Sequence, residues 1–203
     1  MISVIYGQRG SGKSVLGLHE LRRAVREPDL AQGIVVDTLV EERYAELPCL
    51  DPESLSLWLR NPRGAGRICR VVCPMESELD RVAGLLEHEP RPVRAVLLVE
   101  ELSYWSQPNR TAPGLSRLIR YGRHWRVDLI GIGRRPAEIS REFSSQIDRI
   151  QIFRSIEPND IRYYSGILPP DAVERIPQLA PHHYLEYNSA GSWSEREPVA
   201  LAI

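Results

Sequence analysis

Short apolar runs rich in β-branched residues recur at Ile2–Tyr6, Gly33–Asp37, Ile68–Cys73, Ala95–Val99, Leu129–Gly133 and Arg149–Phe153. Between them the apolar positions take helical spacing, at Lys13–Arg26, Asp51–Leu59, Ser77–Glu87, Gly114–Tyr121 and Pro170–Arg175. The alternation predicts an α/β fold. Strands that are almost continuously apolar, rather than apolar at every second position, are buried on both faces. The expectation is therefore a mainly parallel central sheet between helices, a three-layer sandwich. Asp51 and Ser77 precede helical patterns as candidate caps. The segment Asn61–Arg67, with its Pro and two Gly, reads as a surface turn. After Pro177 the pattern weakens into Tyr184–Tyr187 and Val199–Ile203, edge strands or an arm.

Composition narrows this picture. A chain of 203 residues, 42% hydrophobic and 26% charged, can bury a core, which excludes a disordered chain. No glycine period supports a fibre. One domain over 1–203 is expected, with a core at about 1–155 and an aromatic extension at about 156–203. The longest apolar runs fall far short of the ~20 residues that cross a bilayer. The start, Met-Ile-Ser-Val-Ile-Tyr-Gly, has no basic region leading an apolar stretch, so the expected location is cytoplasmic. Cys49, Cys69 and Cys73 are odd in number and lack a matching second pair, and they read as buried thiols. His182 and His183 read as core or surface residues. The net charge is −1, yet between Arg110 and Arg162 eleven arginines face six acids, so the basic residues are segregated. Among the 26 Lys and Arg, Lys13 is the one lysine.

That lysine lies in Gly7-Gln8-Arg9-Gly10-Ser11-Gly12-Lys13-Ser14, which fits G-x-x-x-x-G-K-[ST] at every fixed position. It follows a strand pattern and opens a helical one. Glycines let the loop curl so that successive N–H groups converge, and a helix N-terminus adds positive potential. Gly7 to Val15 are the candidate nucleotide-binding residues: Lys13 for the β- and γ-phosphates of ATP, Ser14 for Mg²⁺.

A phosphate loop of this kind works with acids at the end of another strand. Ala95-Val96-Leu97-Leu98-Val99 leads into Glu100-Glu101 and brings two carboxylates to the carboxyl edge of the sheet, where open α/β folds bind ligands. Glu100 is the candidate partner of Mg²⁺ and its water shell, Glu101 the candidate for polarising an attacking water. Two exposed acids at a strand end are the plain alternative. Just beyond, Tyr104-Trp105-Ser106-Gln107-Pro108-Asn109-Arg110 offers aromatics for stacking and Arg110 for phosphate, a candidate nucleic-acid loop. An ordinary loop with a half-buried Trp fits it equally.

Downstream, a helix ends in Arg120-Tyr121-Gly122-Arg123-His124-Trp125-Arg126, and the strand after it ends in Arg134-Arg135-Pro136. From about Ile2 to Arg154 this order resembles the HerA/FtsK superfamily of ring-forming P-loop ATPases that move nucleic acid: phosphate loop, acidic strand, basic helix end, strand, Arg-Pro. The resemblance implies a RecA/ASCE-like P-loop NTPase fold. It also implies a trans-acting arginine, matched by Arg123 with Arg120 and Arg126 nearby. The family's usual polar sensor, a Gln, is replaced by Arg134, and its usual Asp by Glu100.

Almost the whole chain is motor core, which resembles the minimal genome-packaging ATPases of tailless, membrane-containing icosahedral viruses. That likeness implies double-stranded DNA as partner and a homo-oligomeric ring, hexamer or pentamer, formed on the DNA or capsid by a protein that is monomeric in isolation. It further implies a capsid vertex or membrane protein as docking partner, and a place in the host cytoplasm or at the packaging vertex of a virion. Other readings of the same residues are a zonula-occludens-toxin-like phage assembly ATPase, a P-loop kinase and a nucleotide-binding switch.

Overall fold

A computed structural model describes residues 1–26, 30–61, 63 and 65–199. In chain order the elements begin with β1 (Ile2–Tyr6), α1 (Lys13–Ala24), β2 (Ala31–Asp37), a 3₁₀ turn (Glu42–Tyr44) and α2 (Pro52–Arg60). They continue with β3 (Ile68–Val72), α3 (Glu76–His88), β4 (Arg94–Val99), the short α4 (Leu102–Trp105) and a two-residue hairpin, β5 (Ser106–Gln107) and β6 (Arg110–Thr111). Then follow α5 (Pro113–Tyr121), β7 (Val127–Gly133), α6 (Arg141–Ser144), β8 (Arg149–Phe153), α7 (Pro158–Ser165), α8 (Pro170–Arg175), β9 (Tyr184–Asn188) and β10 (Trp193–Arg196).

Eight strands form one sheet in the order β10-β9-β8-β1-β7-β4-β2-β3. From β8 to β3 every pairing is parallel, and β9 and β10 extend the sheet antiparallel at one end. The apolar runs explain this. All seven residues of β2 and five of six in β4 are buried, as strands covered on both faces require. Successive residues serve opposite layers. Val4, Ile34, Val36, Leu97 and Leu129 join the core under α2, α3, α5, α7 and α8, while Ile5, Val35, Val96, Leu98 and Ile130 pack with Leu16 and Leu21 of α1. Helix α1 is further tied to β8 by Arg149, which reaches the buried carboxylate of Glu20 at 2.6 Å.

The differences from the pattern are local. Asp51 caps α2, accepting from Ser54 N at 2.7 Å. Ser77 caps nothing: α3 begins one residue earlier, because the Glu78 carboxylate reaches back to Met75 N at 2.9 Å and fixes the start there. Among the described residues the last edge strand is Trp193–Arg196, held by the antiparallel ladder to β9. Val199 lies outside any strand, and 200–203 are outside the described residues, as are 62 and 64 of the expected turn. Cys69 and Cys73 are buried, and burial pushes the Cys73 thiol up to about 12. Cys49, by contrast, is exposed. The helix Pro158–Ser165 had no expectation; its polar positions Asn159, Asp160 and Arg162 break the apolar period.

Candidate nucleotide site

Strands β1, β7, β4 and β2 run the same way, so their ends converge on one edge of the sheet. The chain leaves β1 at Gly7, turns through the glycine loop and enters α1 at Lys13. Gly12, at φ 103°, holds the left-handed conformation that an L side chain resists. A Cβ on Gly7 would lie 2.7 Å from Ser11 Oγ and 2.8 Å from Phe153 Cβ, so only glycine fits beneath the loop. The first turn of α1 has no side-chain cap and no acid, which leaves its N–H groups and positive potential available to an anion. Ser11 Oγ is buried with no hydrogen-bond partner among the described residues, a polar atom waiting inside the loop.

Lys13 folds back over this loop, donating from Nζ to Gln8 O at 2.8 Å. Burial lowers its pKa, with the Glu101 and Glu100 carboxylates acting in the opposite sense. Glu100 is 5% exposed; its carboxylate accepts a hydrogen bond from the Tyr44 hydroxyl and feels the nearby Ser14 side chain, while burial holds its pKa above the ordinary value. Its carbonyl accepts from Thr38 Oγ1 at 3.3 Å. Glu101 turns the chain from β4 into α4 at φ 47°, a left-handed conformation uncommon outside glycine and characteristic of functional loops. There its carboxylate meets Arg134, from the end of β7, at 3.1 Å. The structure thus brings together the phosphate loop, both acids and Arg134.

These groups line a cavity of about 750 Å³, and the strand order gives it two unlike ends. Toward β4 and β2 it is charged, with Glu100, Glu101, Arg134, Glu41 and Arg43. Toward β8 and β9 it is lined by Phe153, His182, Tyr184, Pro198 and Val199. The Phe153 and Tyr184 rings lie 5.6 Å apart, and His182 Nδ1 lies 3.0 Å from Ser11 O, so the extension closes over the phosphate loop. This wall and the Glu41–Tyr44 segment are the site residues the sequence reading missed. Tyr184–Tyr187 was visible as an aromatic run, but its place beside the loop comes only from β9 pairing with β8. His182, read as a core or surface residue, belongs to the site.

Four candidates lie elsewhere. Trp105 is a correction: it is 1% exposed and donates from Nε1 to Thr38 Oγ1 at 3.1 Å, so it buttresses the loops behind Glu100 and offers no face to a nucleic acid. Its rotation inward follows from α4, which replaces the expected loop. Tyr104 packs edge-on against it and donates to Pro74 O at 2.9 Å, remaining half-exposed. Arg110, on the β5–β6 hairpin, is paired with Glu76 at 2.6 Å. Arg123 lies in the turn before β7, at the edge where β4 begins, roughly 20 Å of strand away from Glu100. It cannot reach the cavity of its own chain.

The segregated positive charge is also revised. Folding places acids from other elements against the arginines: Glu87 against Arg117 at 3.0 Å, Glu142 against Arg120 at 2.6 Å, and Glu20 and Glu186 against Arg149. Arg123, Arg126, Arg141 and Arg162 have no acidic partner among the described residues.

No family model matches the sequence, and no curated protein matches it. Solved structures do match. The genome-packaging NTPase B204 of Sulfolobus turreted icosahedral virus 2, in complex with ATP-gammaS, superposes with a TM-score of 0.79 at 22% identity over 98% of this chain and 97% of that one. Its complex with AMP gives 0.81 at 21% identity, over 98% of each chain. The fold is that of B204. The B204 likeness takes in β9 and β10 as well as the core, since almost the whole of both chains is covered. The pCW3 conjugation coupling protein TcpA shares the fold more distantly, with a TM-score of 0.64 at 13% identity over 96% of this chain and 58% of that one. No helix among the described residues is long and apolar enough to cross a membrane.

Proposed function

We propose that this protein is an ATPase that drives double-stranded DNA into a viral capsid, acting as a homo-oligomeric ring. The observation that carries the reading is the joining in one cavity of phosphate loop, paired acids and strand-end arginine, on a fold matched end to end by a packaging NTPase. The cavity suits a nucleoside triphosphate, its triphosphate running from the loop toward Glu101 and its base lying against Phe153 and Tyr184. Ser14 Oγ and the Glu100 carboxylate, both hard oxygen donors lining the same cavity, fit Mg²⁺. When bound, that ion supplies charge neutralisation on the β- and γ-phosphates.

Lys13 leaves Gln8 O for the phosphates. Glu101, once released by Arg134, orients a water in line with the γ-phosphorus and accepts its proton. The water oxygen bonds to phosphorus as the bond to the β–γ bridging oxygen breaks, giving ADP and phosphate. Arg134 balances charge on the transferring group from within the chain. Arg123, remote from its own site, serves a neighbouring copy, which makes hydrolysis depend on assembly.

The test is steady-state ATP hydrolysis with and without long double-stranded DNA, across a range of protein concentration. Stimulation by DNA and a rate per subunit rising with concentration are expected. Glu101→Gln and Arg123→Ala are each expected to lower turnover by about 10²–10³-fold. Hydrolysis indifferent to DNA and to protein concentration, but responsive to a small acceptor, would replace the motor with a kinase.

A further inference from the structure

The segment after β2 carries no motif, yet it is fastened to the site at three points. Thr38 Oγ1 donates to the Glu100 carbonyl at 3.3 Å, Glu41 N donates to the buried Asp37 carboxylate at 3.0 Å, and the Tyr44 hydroxyl donates to the Glu100 carboxylate. Tyr44 is fully buried, and Val40 takes φ 57°, a conformation that costs a β-branched residue and persists only where its surroundings impose it. What this anchored segment presents to the cavity is a carboxylate and a guanidinium, Glu41 and Arg43. They are paired with each other, Arg43 Nε at 3.1 Å and its terminal nitrogen at 3.0 Å from Glu41 Oε2. The Arg43 charge acts on both Lys13 and Glu100.

The arrangement repeats across the charged end. Arg134 is held by Glu101 just as Arg43 is held by Glu41. Strand order places Arg43 on the β4 side of the phosphate loop, opposite the aromatic wall, and so at the γ-phosphate end of any nucleotide lying along the cavity.

We propose that Arg43 is a catalytic residue that leaves Glu41 for the γ-phosphate oxygens of a nucleoside triphosphate bound in its own chain. This rests on the nucleotide reading of the site. A phosphate offers a guanidinium more acceptor oxygens and more charge than one carboxylate. The exchange therefore takes place when the third phosphate is present, and ADP leaves the Arg43–Glu41 pair intact.

The test is isothermal titration of ADP and of ATPγS, each with Mg²⁺, into wild type, Arg43→Ala, Arg43→Lys and Glu41→Gln. Arg43→Ala is expected to weaken ATPγS by about 10- to 100-fold and ADP by less than about twofold. Arg43→Lys is expected to recover part of the loss, and Glu41→Gln, which frees the guanidinium, to tighten ATPγS alone. Equal losses for both nucleotides would make Arg43 a structural strap, and no loss for either would make it a solvated side chain; each result overturns the proposal. Wild type binding neither nucleotide would overturn the nucleotide reading itself. Mixing Arg43→Ala with Lys13→Ala subunits separates own-chain from neighbour action: no recovered hydrolysis is expected, and recovery would show Arg43 acting across an interface.

Discussion

The carboxyl edge of the sheet and the outer face of α5 are both rich in charge, and they use it in opposite ways. At the edge, Glu100 and Lys13 are withdrawn from water and held by fixed hydroxyls and carbonyls, so burial moves both pKa values toward neutrality. On α5, Arg117 and Arg120 reach acids on α3 and α6 through long, solvated side chains. The first set is organised before any ligand arrives; the second is a screened surface lattice. Charge carries chemistry here only where the backbone and the core fix its geometry.

Trp105 offers the strongest way to break that contrast, because it fills the core directly behind the acidic edge. Trp105→Ala should cost about 3–5 kcal/mol in urea unfolding. A variant of unchanged stability that had lost only its response to DNA would return Trp105 to the nucleic-acid surface.

A smaller effect is expected from Glu100→Gln. Burial raises the Glu100 pKa in the folded state, so the folded protein binds this proton more tightly than the unfolded chain does. The resulting stabilisation is complete below the ordinary glutamate pKa and is lost as pH rises through the raised one. Glu100→Gln should therefore melt above wild type at pH 8 and lose that advantage at pH 4. A variant less stable at pH 8 would mean that the Tyr44 hydrogen bond outweighs the desolvation.

The smallest effects belong to α5. Arg117→Ala and Arg120→Ala should each change stability by about 0–1 kcal/mol, with the difference shrinking further in high salt. A larger, salt-resistant loss would place these pairs with the buried charges instead.

Much of this was legible in the residues. The six apolar runs mark the six parallel strands to within two residues, because strands buried on both faces, as all but the edge strand β3 are, leave no polar alternation to blur their ends. The phosphate loop and Glu100–Glu101 were readable for a related reason: each is a contiguous motif whose geometry is set by its own strand–turn–helix. The resemblance through the Arg134-Arg135-Pro136 segment was legible too, and the B204 fold agrees with it. Glu41, Arg43 and Tyr44 were not legible, since nothing in their local sequence says that β2 lies beside β4.

The sequence by itself determined which segments form strands and helices, where the phosphate loop lies and which carboxylates end the strand opposite it, because these follow from neighbours within a few positions of one another. Only the tertiary structure decided that Trp105 turns inward, that acids from α3 and α6 meet the arginines of α5, and that Phe153 and Tyr184 wall one end of the cavity while Arg43 guards the other. Those facts depend on which strands pair. Strand order is fixed by the burial of the whole sheet between its two helical layers, a property that no single segment carries.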